Sequence, residues 1–414
     1  MVGMDVRQQR GLEIAKQKQS IRKTEGGWLV KSQSGAGYYK VSELFECNCP
    51  DSLKRGVLCK HAYAARFFLK VEIDTPQGIK TVEKRISYPQ AWGAYRQAQN
   101  AEVKLFDQLL SDLVEGVEEP EQQRGRPRVS LKQGLFCAIQ KVYSQLSSRR
   151  AFSLYENAEQ RNQIEKAPSY NAINVFLNRK DITPILHELL TLTALPLKAV
   201  ESNFAVDSSG FRTRCFGQYA EEKYGLGREH KWLKAHAIVG TKTNCITSAI
   251  VGEENSADSP NFPVLVKATA NGGFEVKQVV ADKAYSSAEN HNVVAELGGQ
   301  AYIPFKSNAT ASVHGSKYRL WKKAFLYYSL HSEEFYEIYH KRSNIESTFA
   351  AVKRKFGETL KSKNPKAQEN ELLCKLVAYN ITVLIQSMFE LGVQPDFSAH
   401  KSGNMLIKEG DSKD

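Results

Sequence analysis

Apolar positions change their period along the chain, and each change predicts a different kind of element. Over the first 70 residues they come in short, glycine-punctuated runs, and "GGWLVKSQSGAGYYKVS" predicts a hairpin. In "YPQAWGAYRQAQNAEVKLFDQLLSDLVEG" they recur at helical spacing. They do so again from about Leu131 to Val200, where "APS" and "ALP" mark turns. Between these helical regions "VEEPEQQRGRPRVS" is polar, holds two prolines and reads as a linker. After Glu201 short β-prone runs take over: "NFAVDSS", "WLKAHAIVG", "CITSAIVG", "KQVVAD" and "AYIPF". Helical segments, "SPNFPVLVKATA", "SSAENHNVVAEL" and 339–355, lie between and after them. Strands first, then alternation with helices, predict a mixed α/β domain. "ELLCKLVAYNITVLIQSMFELG" is long and apolar, but Lys375, Asn380 and Gln386 interrupt it. A buried helix fits it better than a membrane span.

The expected organisation is therefore a β-rich unit over 1–70, a helical segment and linker over 71–128 and an all-α domain over 129–200. A mixed α/β domain over 201–395 and a polar tail over 396–414 complete it. At about 100–200 residues per domain, 414 residues hold two to four domains. The net charge of +12 and a pI near 9.2 favour a polyanionic partner, most often nucleic acid. The polar stretch "MVGMDVRQQRGLEIAK" has no signal-peptide core. Seven cysteines, three of them clustered, suit a reduced cytoplasm and one metal site rather than a disulfide framework.

That cluster is "FECNCPDSLKRGVLCKH", which supplies Cys47, Cys49, Cys59 and His61 in the spacing C-x-C-x9-C-x-H. Three thiolates and an imidazole make a tetrahedral Zn²⁺ set with no spare position, so the expected role is structural. Small buried cysteines in a hairpin are the plainer alternative. The spacing resembles the SWIM zinc finger, as do the upstream strand "WLV" and the following helix "AYAARFFL". The resemblance implies a module that contacts DNA or protein, and both remain open.

Asp207 in "FAVDSSGF" and Asp282 in "KQVVADKAYSS" each end an apolar β-prone run. A carboxylate there is costly unless paired or bound to a cation. Each also has a plain reading, Asp207 as a turn cap and Asp282 as a helix N-cap. In "YHKRSNIESTFAAVK" a continuous helix would place Tyr339, Arg342, Glu346 and Lys353 within an arc of roughly 60°. An exposed Arg342–Glu346 pair explains two of these four and is worth only a few tenths of a kcal/mol. Two Asp at strand ends and a helical Glu are what two-metal phosphoryl chemistry requires, with Mg²⁺ or Mn²⁺ held by hard oxygens.

Tyr339, Arg342, Glu346 and Lys353 match the Y-(2)-R-(3)-E-(6)-K signature of prokaryotic insertion-sequence DDE transposases. "DSSGF" and "ADKAY" resemble that family's first and second acidic motifs, and the resemblance spans about residues 130–392. It implies an RNase H-like catalytic domain, a mixed sheet flanked by helices, in which Asp207, Asp282 and Glu346 are catalytic and bind two Mg²⁺ or Mn²⁺ ions. It further implies that Tyr339, Arg342 and Lys353 contact phosphates of double-stranded DNA, at transposon ends and target, and that the synaptic complex is a homodimer. Such an enzyme is cytoplasmic and nucleoid-associated, with no membrane partner. The rival readings are a nuclease of the same fold and a non-catalytic, transposase-derived DNA-binding protein.

Other features carry less. "RGRPR" resembles a minor-groove clamp through Arg126, or a plain basic linker. "SYNAINVFLN" belongs either to a helix-turn-helix-like module or to a simple bundle. His236 is expected to pack in the core, and Asp258 to cap a helix.

Overall fold

The alternation that predicts hairpins and the 3.6-residue repeat that predicts helices sort the chain into two units. In the computed structural model these are Met1–Gln90 and Ala91–Asp414. The structure describes residues 6–397 except 18–19, 25, 34, 36, 43–44, 56–57, 76–77, 84–90, 122–123, 126–127, 214–222, 224–231, 307–308 and 311–314.

The first unit runs α1 (Val6–Lys16), β1 (Ile21–Thr24), β2 (Gly27–Lys31), β3 (Tyr38–Ser42), α2 (Pro50–Arg55), α3 (Lys60–Leu69), β4 (Lys70–Thr75) and β5 (Gly78–Glu83). Strands β1–β2–β3 form an antiparallel sheet. Its inward residues Trp28, Val30 and Val41 are buried with Ile14 of α1 and Ala62, Ala64 and Ala65 of α3. Gly27 has φ +144°, and a Cβ there would lie 2.0 Å from the Val41 carbonyl oxygen, so only glycine fits where β2 approaches β3. The hairpin β4–β5 occupies 70–83, within the stretch expected to be a helical segment and linker over 71–128.

The second unit opens with α4 (Trp92–Glu115), α5 (Leu131–Ser144), α6 (Phe152–Gln160), α7 (Tyr170–Phe176) and α8 (Ile182–Ala194). Then come β6 (Asn203–Arg212), β7 (Trp232–Gly240), β8 (Ile246–Glu253), α9 (Asp258–Asn271), β9 (Gln278–Ala281), α10 (Ala288–Glu296) and β10 (Gln300–Tyr302). The last helices are α11 (Arg319–Leu330), α12 (Ser332–Tyr339), α13 (Ser343–Phe356) and α14 (Pro365–Leu391). The five strands form one mixed sheet in the order β10-β9-β6-β7-β8. β6, β7 and β8 pair antiparallel, and β9 and β10 join parallel on the other side of β6. Helices α9 and α13 both pack on β6 and β7. This is the mixed sheet flanked by helices that an RNase H-like domain requires.

The region 129–200 is helical, but it does not stand apart as an all-α body. α14 packs on α4, α5 and α8 and also on β8, so the helices and the sheet share one core. α14 is long and apolar enough to cross a membrane, yet 72% of its apolar window is buried inside the unit. The polar residues that interrupt it have partners. Asn380, 1% exposed, accepts from Ile246 N at 2.9 Å and donates to the carbonyls of Ile246 and Leu190 and to Thr193 Oγ1. It ties the outer strand of the sheet to α8. Asn380→Leu keeps the volume and strands those groups, at a cost of about 3 kcal/mol. The thermal midpoint of this unit should fall by about 4 °C; an unchanged midpoint would mean the backbone groups find other partners.

Candidate functional site

The Cys/His cluster lies within the first unit. Cys47 forms an isolated bridge with Val41, Cys49 immediately precedes α2, and Cys59 and His61 flank the start of α3. All four residues are buried, and their donor atoms lie within 4.8 Å of one another. Cys59 Sγ is 3.8 Å from His61 Nδ1, near the S···N edge of about 3.6 Å that Zn–S and Zn–N bonds give a tetrahedral zinc site. The Cys59 thiol is pulled down to about 3, first by its hydrogen bond with Cys47 and then by His61, with burial opposing. Burial pushes Cys49 up. Buried thiols contending for charge at this spacing are the donor set that Zn²⁺ satisfies.

The second cluster forms where β9 stops. Val206 of β6 pairs with Ala281, the last residue of β9, so Asp207 and Asp282 follow side by side on neighbouring parallel strands. Asp207 was expected at a strand end, but β6 continues to Arg212 because β7 still pairs with it. The end is that of β9, and past it one edge of β6 is left unpaired by that strand. Of the plain roles foreseen, Asp282 takes its N-cap, whereas Asp207 caps no turn and bonds the next residue within β6. Asp207 Oδ1 accepts from Ser208 N at 2.8 Å, and Asp282 Oδ1 accepts from Ala284 N at 3.1 Å as the N-cap of a 3₁₀ turn over Lys283–Tyr285.

Glu346 and Arg342 come to this point from α13 and the turn before it. The expected single helix over 339–355 is instead α12, a 3₁₀ turn over His340–Arg342 and then α13. Tyr339, the last residue of α12, stacks on Phe335 with centroids 6.1 Å apart. Arg342 Nη1 donates to Asp207 Oδ2 at 2.5 Å, while Nη2 donates to Glu346 Oε1. The Arg342 guanidinium lies 6.0 Å from the Tyr339 ring centroid. The side chains of Asp207 and Arg342 are each 20% exposed, whereas that of Glu346 is 55% exposed. The site is thus largely covered at Asp207 and Arg342 and open to solvent at Glu346.

Burial, reinforced by Asp282 and Glu346, raises Asp207 above the usual carboxylate range despite Arg342 beside it. Arg342 is held charged by Tyr339, Asp207, Glu346 and Asp282, which together outweigh burial, the largest influence and an opposing one. Burial also raises the Tyr339 hydroxyl. A carboxylate whose charge is made costly by burial, Asp282 and Glu346 suits a divalent cation with hard oxygen ligands.

Lys353 stands apart from this group. Two turns further along α13, its Nζ lies 5.2 Å from the Phe211 ring centroid near the far end of β6. Next to it Arg212 covers the Trp232 ring at 5.4 Å and pairs with Glu358 at 3.2 Å. Arg126 lies outside the described residues.

Two features were missed in the sequence. α11 and α12 insert between β10 and α13 and bring Trp321, Phe325 and Tyr328 together around Phe305, with Phe335 against Tyr328; the aromatic spacing at i, i+4 and i+7 was available as a signal. Asp258 does not cap its helix, whose N-cap is Ala257. Instead it receives Ser208 Oγ at 2.9 Å and lies 2.8 Å from Lys234 Nζ. His236, fully buried as expected, has Nδ1 3.4 Å from the same carboxylate oxygen.

Residues 198–381 match the transposase DDE domain family, and residues 46–65 match the SWIM zinc finger. Among solved structures, the chain is similar to the piggyBac transposase in a synaptic complex with hairpin DNA, determined by cryo-electron microscopy. That match has 11% sequence identity and a TM-score of 0.35, over 71% of this chain and 79% of that one.

Proposed function

We infer that this chain, in which a SWIM zinc finger precedes a transposase DDE domain, is a DNA transposase. Its Asp207, Asp282 and Glu346 would be the metal-binding and catalytic acids. The observation that carries this assignment is the convergence of Asp207 and Asp282 at the end of β9 with Glu346 on α13, linked by Arg342. Two Mg²⁺ or Mn²⁺ ions held by the three acids would activate the attacking oxygen and stabilise the leaving one. In the proposed reaction water attacks a phosphodiester at the transposon end and frees a 3′-hydroxyl, which then attacks target DNA. Tyr339 and Arg342 border the acids, and Lys353 lies about 10 Å further along α13. That separation suits contacts with successive phosphates of one strand better than a single clamp. Pairing of two transposon ends requires two copies of the domain, so the working form is proposed to be a homodimer acting at the nucleoid. Cys47, Cys49, Cys59 and His61 would hold one structural Zn²⁺.

The decisive experiment incubates the chain, Mg²⁺ and a duplex carrying the DNA that flanks its gene. Cuts at an inverted repeat followed by joining to a second duplex support transposition. Cutting without joining favours the nuclease, and DNA binding without cutting favours the non-catalytic protein. Arg342 supplies a further prediction. A cation entering between Asp207 and Glu346 must compete with its guanidinium, at an attraction of about 4 kcal/mol per close pair for an effective dielectric of 20. Arg342→Gln should therefore lower the half-saturating Mn²⁺ several-fold while slowing cleavage about tenfold. A raised Mn²⁺ midpoint would show instead that Arg342 serves mainly to hold Glu346 in place.

A further inference from the structure

Behind the acidic cluster the sheet carries a second polar group, on the side of α9. Ser208 follows Asp207, so its side chain leaves the opposite face of β6, and Ser208 Oγ donates to Asp258 Oδ1 at 2.9 Å. The same oxygen lies 2.8 Å from Lys234 Nζ and 3.4 Å from His236 Nδ1, both from the neighbouring strand β7. Lys234 also donates to the Ser256 carbonyl at 3.2 Å, just before α9. His236 is opposite Ser208 in the β6–β7 register, is fully buried, and neither ring nitrogen makes an aligned hydrogen bond. The second acid is tied to the same place. Tyr285, in the turn that Asp282 caps, packs on Phe262 of α9, and Asn290 donates both to the Tyr285 carbonyl and to Ser259 of α9.

We propose that Asp258 is a positioning residue for the metal-binding acids, gripping Ser208 from behind the sheet while Lys234 holds it in place. The inference rests on the transposase reading of Asp207, Asp282 and Glu346. Its mechanical basis is the loss of parallel pairing beyond Val206. Asp207 sits on the stretch of β6 that β9 no longer supports, and Ser208 is the residue joined to both carboxylates. Its N–H donates to Asp207 and its Oγ to Asp258. Ligating side chains must stay within about 0.5 Å of their productive geometry, and outer partners of metal ligands typically cost 10–100-fold in affinity or activity when removed.

The test compares Asp258→Asn, Ser208→Ala and the double variant in the full, zinc-loaded chain. Mn²⁺ binding is read by calorimetry and by cleavage of flanking-DNA duplex, with Asp207→Asn as the baseline. Each single variant should raise the half-saturating Mn²⁺ about tenfold. The double variant should be no worse than either alone, because both break one link. Cleavage at saturating Mn²⁺ should return to within about threefold of wild type, and DNA binding without added Mn²⁺ should be unchanged. A general loss of packing does not produce that split. If Asp258→Asn does not fold, Ser208→Ala, which removes one hydroxyl, carries the test. A wild-type Mn²⁺ midpoint in Ser208→Ala, or a loss that saturating Mn²⁺ does not restore, overturns the proposal. Asp207→Asn binding Mn²⁺ like wild type would instead overturn the reading of the triad.

Discussion

Asp207→Asn abolishes Mg²⁺-dependent cleavage and joining while leaving DNA binding near the wild-type level. The expected loss is about a thousand-fold or more, equivalent to ~4 kcal/mol of transition-state stabilisation. The substitution is nearly isosteric and keeps an acceptor for Ser208 N. What it removes is the charge that burial, Asp282 and Glu346 already make expensive. Without it the site loses a hard anionic ligand, and Arg342 keeps only Glu346 as a close carboxylate partner. The phosphate contacts proposed for Tyr339 and Lys353 do not depend on that charge, so gel-shift affinity in the absence of Mg²⁺ should stay within about threefold. Cleavage at the wild-type rate by Asp207→Asn would remove the triad assignment. Parallel loss of DNA binding would move Asp207 from chemistry to structure.

Removing zinc unfolds the first unit and leaves the second folded. Structural zinc supplies about 10–16 kcal/mol of folding free energy in small domains. A unit of 90 residues has a total stability of only about 5–13 kcal/mol. Its core is a three-stranded sheet and two helices, closed around Cys47, Cys49, Cys59 and His61. A zinc-selective chelator, or Cys49→Ser, should take zinc from one ion per chain to none. Amide protection over β1–β3 and α3 should then vanish, while α14 stays protected because its core is built from other residues. Intact protection of β1–β3 in zinc-free chain would show that the thiols are ordinary core residues.

The positions of the acids were legible because a buried Asp at the end of an apolar run is expensive, and because Tyr339, Arg342, Glu346 and Lys353 carry a recognisable spacing. Their geometry was only partly legible. Helical periodicity treats 339–353 as one cylinder, whereas a 3₁₀ turn over His340–Arg342 breaks it, and Lys353 ends beside Phe211. Asp258 was misread for a related reason. An acid at the start of a helix looks like a cap, and only the neighbouring strand shows that Lys234 and Ser208 claim its carboxylate.

The sequence by itself determined the five strands of the α/β region, its helices apart from α11 and α12, the mixed class of the fold, and the Cys/His spacing, since local periodicity and residue chemistry act over a few positions. Tertiary structure alone decided that β9 ends where Asp207 begins to need support and that Arg342, paired with Glu346 only 4 positions along the chain, also reaches Asp207, 135 positions away. It alone decided that the helices before the sheet share its core. Those outcomes depend on which strands pair and where pairing stops, and pairing is a property of distant segments that no local pattern encodes.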